Sequence, residues 1–134
     1  MTQKQGNQNS DGGRLDGTLG TAVVAGDFAI GAGWGGTATK SVRSGSTDQR
    51  GVITITASAT TPAQATATVA LTFADGAYAS TPPYFNVTLL SSSNAAAEPS
   101  ELEACACTTT ALTWTFGTLP VATKTYVFSY VVIA

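Results

Sequence analysis

The chain has 134 residues, which suits a single domain, and only 10% of them are charged, against about 25% in an average soluble domain. A formal net charge of −2 argues against a nucleic-acid-binding protein, because such proteins need a basic face to neutralise phosphates. Thr, Ser, Ala and Gly take the place of charged residues, and covering such short side chains with a partner immobilises little rotamer freedom. The composition therefore favours a structural protein that packs against neighbouring subunits.

Residues 1–36 are predicted to form an extended arm. Residues 1–20 are rich in Gln, Asn, Asp and Gly, bury too little apolar surface to order themselves, and lack the apolar core of a signal peptide. Apolar side chains then appear between Gly and Ala, and 31–36 is interpreted as a Gly-rich hinge before the domain. The candidate anchors that bind the arm to another subunit are Leu15, Leu19, Val23, Val24, Phe28 and Ile30.

Two alternatives stay open for the end of this arm. Residues 28–34 could instead be the first strand of the domain, and Trp34 could dock on a partner or cap the domain's own core. The glycine pattern of 31–36 resembles a dinucleotide-binding loop only superficially, because Thr37-Ala38-Thr39 does not open a helix.

From residue 37 onward, short strands follow one another. Apolar residues alternate with Thr over 53–57, 66–73 and 112–116, and with Tyr, Asn and Thr over 84–89, and turn signals separate these segments. Residues 126–133 are apolar at almost every position, which predicts a strand covered on both faces, by the core and by a neighbouring subunit. The predicted oligomer interface comprises Tyr126, Phe128, Tyr130 and Val132. The fold class is all-β: an antiparallel, jelly-roll-like β-sandwich over 37–134, preceded by the arm.

Catalytic and metal-binding residue patterns are scarce, so the sequence predicts no enzyme and no cofactor. The chain contains no histidine, which removes the usual Ser-His-Asp and Cys-His arrangements. Glu98, Glu101 and Glu103 share one loop, where a solvated surface is favoured over a weak calcium site. Cys105 and Cys107 are two residues apart on one strand face, which disfavours a mutual disulfide, and they are expected to be small, buried, reduced side chains.

From residue 37 the chain resembles a β-sandwich module of tailed-bacteriophage structural proteins, found in head fibres, capsid decoration (cement) proteins and tail-fibre tips. The resemblance lies in the order of these segments: 37–42, 44–48, 51–56, 67–73, 77–82, 94–97, 108–110 with the strand of Trp114, and 126–133. The stretch 98–107 is more acidic than the module usually is and carries cysteines, and Ala111-Leu112 replaces an expected glycine turn. The resemblance implies a homotrimeric virion component without catalytic activity.

The leading hypothesis is a capsid decoration or cement protein that binds the major capsid protein through its N-terminal arm. It would assemble in the bacterial cytoplasm and reside in the virion, without nucleic-acid or membrane partners. A membrane partner is not expected because no apolar run approaches the roughly 18 residues of a membrane-spanning helix. Deleting residues 1–26 is then expected to leave a folded domain that no longer binds capsids. The alternative is a receptor-binding or adhesive fibre tip, in which Tyr78, Tyr84 and Trp34 would contact a host surface glycan.

Overall fold

A computed structural model of the protein describes residues 20–59, 67–74, 78–82, 84–97, 102–117 and 120–133. Within these ranges eight strands form two antiparallel sheets of four, which confirms the predicted β-sandwich. The strands are β1 (Phe28–Ile30), β2 (Thr39–Val42), β3 (Arg50–Thr56), β4 (Ala67–Thr72), β5 (Tyr84–Ser92), β6 (Leu102–Cys107), β7 (Ala111–Phe116) and β8 (Thr125–Ile133).

The first sheet has the order β1-β4-β7-β6 and the second the order β2-β3-β8-β5. β1 is the short edge strand of the first sheet. In the second sheet β2 and β3 are paired at one edge, and β8 occupies an inner position. Two 3-10 helices of three residues each, Ala25–Asp27 and Ala32–Trp34, flank β1. None of the helices in the described ranges is long and apolar enough to cross a membrane.

Strand formation follows the alternation seen in the sequence. In β4, Val69 and Leu71 are fully buried while Thr68 and Thr72 face solvent. Because side chains alternate between the faces of a strand, a period of two places Ala67, Val69 and Leu71 of β4 against the second sheet. The partner strand β7 does the same, with Trp114 opposite Val69 in the register.

The core between the sheets is an aromatic cluster centred on Trp34. Its ring lies 5.4 Å from that of Tyr126 in an edge-on arrangement and 6.3 Å from that of Phe116 in a stacked one. Phe128 contacts the rings of Trp34, Trp114 and Phe116 at 5.9–6.1 Å. Such aromatic pairs stabilise by about 0.5–1.5 kcal/mol each beyond their area burial, so this cluster holds the two sheets together.

The segment interpreted as arm and hinge belongs to the sandwich from residue 20 onward. Phe28 pairs with Leu71 and is 1% exposed, and Trp34 is 0% exposed. The amide of Ser58 donates a hydrogen bond to the Trp34 carbonyl at 2.9 Å. The hinge interpretation of 31–36 is therefore wrong, and the described part of the domain begins at Gly20 and not at residue 37. The structure instead matches the alternative in which 28–34 contains the first strand. Large apolar side chains are more stable buried in this core than exposed to water.

Candidate protein-binding face

The outer face of the second sheet exposes three large apolar side chains at one end. Tyr84 is 69% exposed, Ile133 is 55% exposed and Val131 is 37% exposed. Tyr84 lies directly opposite Ile133 in the β5–β8 register, and Val131 is the next outward residue of β8. Single exposed apolar residues are ordinary, whereas adjacent ones form a candidate binding surface. We refer to Tyr84, Val131 and Ile133 as the β5–β8 patch.

The alternation of side chains along β8 places this patch on the outer face of the sheet, away from the core. Tyr130 and Val132 point between the sheets, so their neighbours Val131 and Ile133 must point to the opposite face. The nearly continuous apolar sequence of β8 thus reflects a strand with a buried face and a second apolar face that is exposed at its C-terminal end.

Around the patch, the outward positions of the same sheet are uncharged except at one corner. Outward residues that lie directly opposite one another on neighbouring strands form four rows: Thr39–Thr56–Thr125, Ser41–Thr54–Val127, Val52–Ser129–Thr88 and Arg50–Val131–Asn86. Arg50 is the charged member of this set, and it lies directly opposite Val131. The face is therefore apolar at one end, hydroxyl-rich at its centre, and basic where β3 begins.

The connection between β2 and β3, residues 43–49, forms that basic corner. The amide of Ser46 donates to the carbonyl of Arg43 at 3.1 Å, closing a turn in which Gly45 has a φ of 86°. That left-handed conformation favours glycine. A second turn follows, in which the Thr47 amide donates to the Arg50 carbonyl at 2.8 Å.

Hydrogen bonds from the N-terminal segment hold this loop in place. The Val23 amide donates to the Ser46 carbonyl at 3.2 Å. Thr21 and Asp48 are joined twice, through the Thr21 amide to the Asp48 carboxylate at 2.9 Å and through the Asp48 amide to the Thr21 carbonyl at 2.9 Å.

Strand β8 holds the same loop from the other side. The Tyr130 hydroxyl donates to the Thr47 carbonyl, and the Val132 amide donates to the Gln49 carbonyl at 2.7 Å. The pKa of Tyr130 is raised well above its usual value by burial, and further by the negative charges of Asp48 and Asp27. The phenol therefore stays protonated and remains a hydrogen-bond donor to the loop.

A solvent-open cavity of about 320 Å³ lies at this corner, and its walls include Arg43, Arg50, Gly51 and Tyr130. Within the described ranges neither guanidinium has an ion-pair or hydrogen-bond partner. Ser46 is buried beneath the cavity, and its hydroxyl accepts a hydrogen bond from the Val52 amide at 3.1 Å. The corner therefore presents two arginines that form no ion pair within the described ranges, on a loop whose backbone is held by several hydrogen bonds and which also carries Asp48.

The structure distributes the predicted arm anchors over different environments. Leu15 and Leu19 lie outside the described residues. Val23 and Phe28 are buried in this chain's own core, at 7% and 1% exposure, and Ile30 is half-buried against it. Val24 alone of the described anchors is freely exposed, at 66%. The proposed role of Val23 and Phe28 as anchors on another subunit is corrected accordingly, because both side chains already have intramolecular partners.

The predicted oligomer interface is also corrected. Tyr126, Phe128, Tyr130 and Val132 are 0–3% exposed and form part of the core between the sheets. Side chains in that position cannot contact a second copy of a folded chain. The residues on the opposite face of β8 are Val131 and Ile133, one position out of phase with the predicted set, and both are exposed.

The three aromatic residues considered for a glycan platform do not converge. Trp34 is buried at the centre of the core, and Tyr78 is half-buried with its ring edge-on to Phe73 at 4.9 Å. Tyr84 is the exposed member of the three.

The acidic and cysteine-bearing stretch lies at a sheet edge. Glu98 and Glu101 lie outside the described residues, while Glu103 is exposed on β6. In the part of the chain that the structure describes, no group of three or more His, Cys, Asp or Glu side chains could hold a metal ion. Cys105 and Cys107 are free thiols, exposed and half-buried respectively, so the expectation that both are buried is wrong. The reason is the edge position of β6, whose residues are otherwise exposed or half-buried.

No family model matches the chain, and neither a curated protein nor a solved structure matches it.

Proposed function

We propose that this protein is a non-enzymatic structural component of a bacteriophage virion, a capsid decoration or cement protein that binds the major capsid protein. The observation that carries the proposal is the β5–β8 patch, in which Tyr84, Val131 and Ile133 lie side by side on a sheet face whose one charged outward residue within the described strands is Arg50. The class of particle comes from the sequence resemblance to the phage sandwich module.

The surroundings of the patch suit a protein partner. Protein interfaces combine an apolar, aromatic-containing centre with a polar rim, and here Asn86, Thr88 and Ser129 border the apolar end of the sheet. Short hydroxyl side chains lose little rotamer freedom when they are covered, so more of the burial energy contributes to affinity. Residues 1–19 remain part of the proposal as an additional contact, and a homotrimer would multiply both contacts through effective concentration.

Particles of the phage that encodes this chain test the proposal directly. Purified protein is added to particles that lack it, and occupancy is measured by cosedimentation and by electron microscopy. The double variant Tyr84→Ser with Ile133→Ser is expected to bind at least about tenfold more weakly, equivalent to about 1.4 kcal/mol. The matched control is Val121→Ser, which removes an apolar side chain that is 44% exposed in the β7–β8 connection, before β8 begins.

Two results would overturn the capsid-binding proposal. One is equal occupancy by the wild-type protein and the double variant. The other is a wild-type oligomer that the double variant converts to monomers, since the patch would then be a self-association interface. Sedimentation of each variant without particles measures its oligomeric state, and so separates a loss of self-association from a loss of capsid binding.

The adhesive-tip alternative has narrower support, because Tyr84 is the exposed aromatic residue among its three candidates. A glycan array probed with wild-type protein and Tyr84→Ser tests it. Saturable binding to a defined glycan that Tyr84→Ser abolishes would favour the adhesive tip over decoration.

A further inference from the structure

We propose that the cavity between Arg43 and Arg50 is a carboxylate-binding site, which receives an Asp or Glu side chain of the protein segment that covers the β5–β8 patch. The identity of that protein rests on the proposed function, but the affinity of the cavity for a carboxylate does not. We refer to the cavity with its lining residues Arg43, Arg50, Gly51 and Tyr130 as the corner cavity.

Two of the residues that line the corner cavity are arginines. Arg43 follows β2 and Arg50 begins β3, and the hairpin brings the two together because the Arg43 amide donates to the Val52 carbonyl at 2.9 Å. Within the described ranges neither guanidinium group pairs with an acid. A carboxylate between them would relieve their mutual repulsion and accept charge-assisted, bidentate hydrogen bonds.

The loop that carries the arginines is fixed before any ligand arrives. Tyr130 and Val132 hold it from β8, and Val23 holds it from the N-terminal segment. Packing is tight at Gly51, where an added Cβ would lie 2.5 Å from the Ser46 Cβ and from the Tyr130 hydroxyl oxygen. A rigid loop loses little conformational entropy on binding, so charge-assisted hydrogen bonds at such a site contribute more of their energy to affinity.

The position of the corner cavity identifies the kind of occupant. Arg50 is directly opposite Val131, a member of the β5–β8 patch. Side chains directly opposite each other on neighbouring strands have Cβ atoms about 4.5–5.5 Å apart. A segment lying on the patch can therefore place one carboxylate in the cavity and its neighbouring apolar side chains on Val131 and Ile133.

A polyanion fits the same surface less well than an acidic protein segment. Nucleic-acid binding requires many phosphate contacts along a basic track, whereas the remaining outward positions of this sheet are uncharged. A carboxylate flanked by apolar side chains complements both the arginines of the corner cavity and the apolar side chains of the patch.

The site is tested by NMR titration of the isotope-labelled full chain with N-acetyl-glutamate N-methylamide. The neutral glutamine analogue is the matched ligand. We expect saturable shifts of the Arg43 and Arg50 side-chain NH signals and of the Gly45 and Gly51 amides with the glutamate analogue only. The shifts should disappear in the variant Arg43→Gln with Arg50→Gln and persist in Lys124→Gln, which removes one positive charge from the turn before β8. Added salt should weaken the binding.

Several results would overturn the inference. They are the absence of saturable shifts with the glutamate analogue, equal shifts with the glutamine analogue, and persistence of the shifts in the double-arginine variant. Parallel titrations with inorganic phosphate and with sialic acid identify the remaining alternatives. Tighter binding of phosphate would mean an adventitious anion only, and tighter binding of sialic acid would mean a glycan site.

The particle assay separates this inference from the proposed function. If wild-type protein occupies particles and the double-arginine variant does so equally well, the corner cavity is not the partner's carboxylate site, while the proposed function stands. If wild-type protein binds the glutamate analogue but no particles, the proposed function fails and the carboxylate site stands. Loss of particle occupancy in the double-arginine variant, with Lys124→Gln unaffected, supports both.

Discussion

The indole Nε1–H of Trp34 donates a hydrogen bond to the carbonyl oxygen of Thr68 at 3.0 Å. The same carbonyl accepts the amide of Gly31 at 2.9 Å. These two bonds join the Gly-rich segment before β2 to strand β4 and place the largest side chain of that segment at the centre of the core. The segment therefore contributes to the stability of the domain.

Substitution of Trp34 tests that contribution. Trp34→Phe should lower the free energy of unfolding by about 1–3 kcal/mol, because it removes a hydrogen bond and part of a buried ring, while the Thr68 carbonyl keeps Gly31 as a partner. Trp34→Ala should lower it by about 3–5 kcal/mol, since it also empties part of the aromatic cluster. Urea unfolding measures both, with Val24→Ala, at an exposed position, as the control. A midpoint unchanged in Trp34→Ala would show that the segment is dispensable.

Truncation should separate the residues before Gly20 from the rest of the N-terminal segment. Residues 1–19 contain too few apolar side chains to order themselves, so their removal is expected to leave the unfolding midpoint nearly unchanged. Removing residues 1–26 also deletes Val23 and the hydrogen bonds of Thr21 and Val23 to the β2–β3 loop. That chain should lose about 3 kcal/mol, from the buried valine and the lost hydrogen bonds.

The truncation result bears on the expectation that a chain lacking residues 1–26 stays folded but cannot bind capsids. Particle occupancy should be measured with the chain lacking residues 1–19, since loss of binding by the shorter chain could reflect lost stability. Equal stability of the two truncated chains would contradict the role assigned to Val23.

Gly51→Ala tests the close approach of the loop to β8. The added methyl group would meet Ser46 and Tyr130 at 2.5 Å, so the neighbours must shift, and we expect a loss of about 1–3 kcal/mol. Gly36→Ala is the matched control, because nothing lies within 4 Å of its added Cβ. Thermal unfolding followed by circular dichroism compares the two. Equal transition temperatures would show that the packing at Gly51 is looser than described.

Alkaline pH should destabilise the protein through Tyr130. Burial raises the pKa of this phenol above its usual value of 10.0, so the folded chain binds the proton more tightly than the unfolded chain does. Stability from this group is fully present below about pH 10 and is lost as the pH rises beyond that value. Tyr130→Phe should be less stable at neutral pH, through the lost bond to Thr47, and should decline less steeply above pH 10.

Urea midpoints at several pH values between neutrality and strong alkali measure this difference. Tyr84→Phe is the control on the same sheet, since Tyr84 is exposed. Tyr78, whose pKa burial also raises, should leave a residual slope in Tyr130→Phe. Parallel pH profiles of wild type and Tyr130→Phe would contradict the assignment.

The alternation of apolar and hydroxyl residues was sufficient to predict most of the fold. The period of two over 53–57, 66–73 and 112–116 predicted strands that the structure contains as β3, β4 and β7. It could be read locally because successive side chains of a strand face opposite ways whatever the strand pairs with. The all-β class and the antiparallel sandwich followed from the number of such strands and the turns between them.

The candidate site depended on tertiary pairing that no local pattern specifies. Residues 126–133 are mostly apolar on both faces of the strand, so the sequence does not indicate whether Tyr130 or Val131 faces the core. Nor could it show that Arg43 and Arg50 share one cavity, or that Trp34 belongs to the core, because these neighbours are set by strand register and hydrogen bonds between distant segments. The strands with a clear alternation could be predicted from the sequence, since alternation is a local property of each strand. The packing of the two sheets sets which face of each strand is buried, and thus which residues remain for a partner.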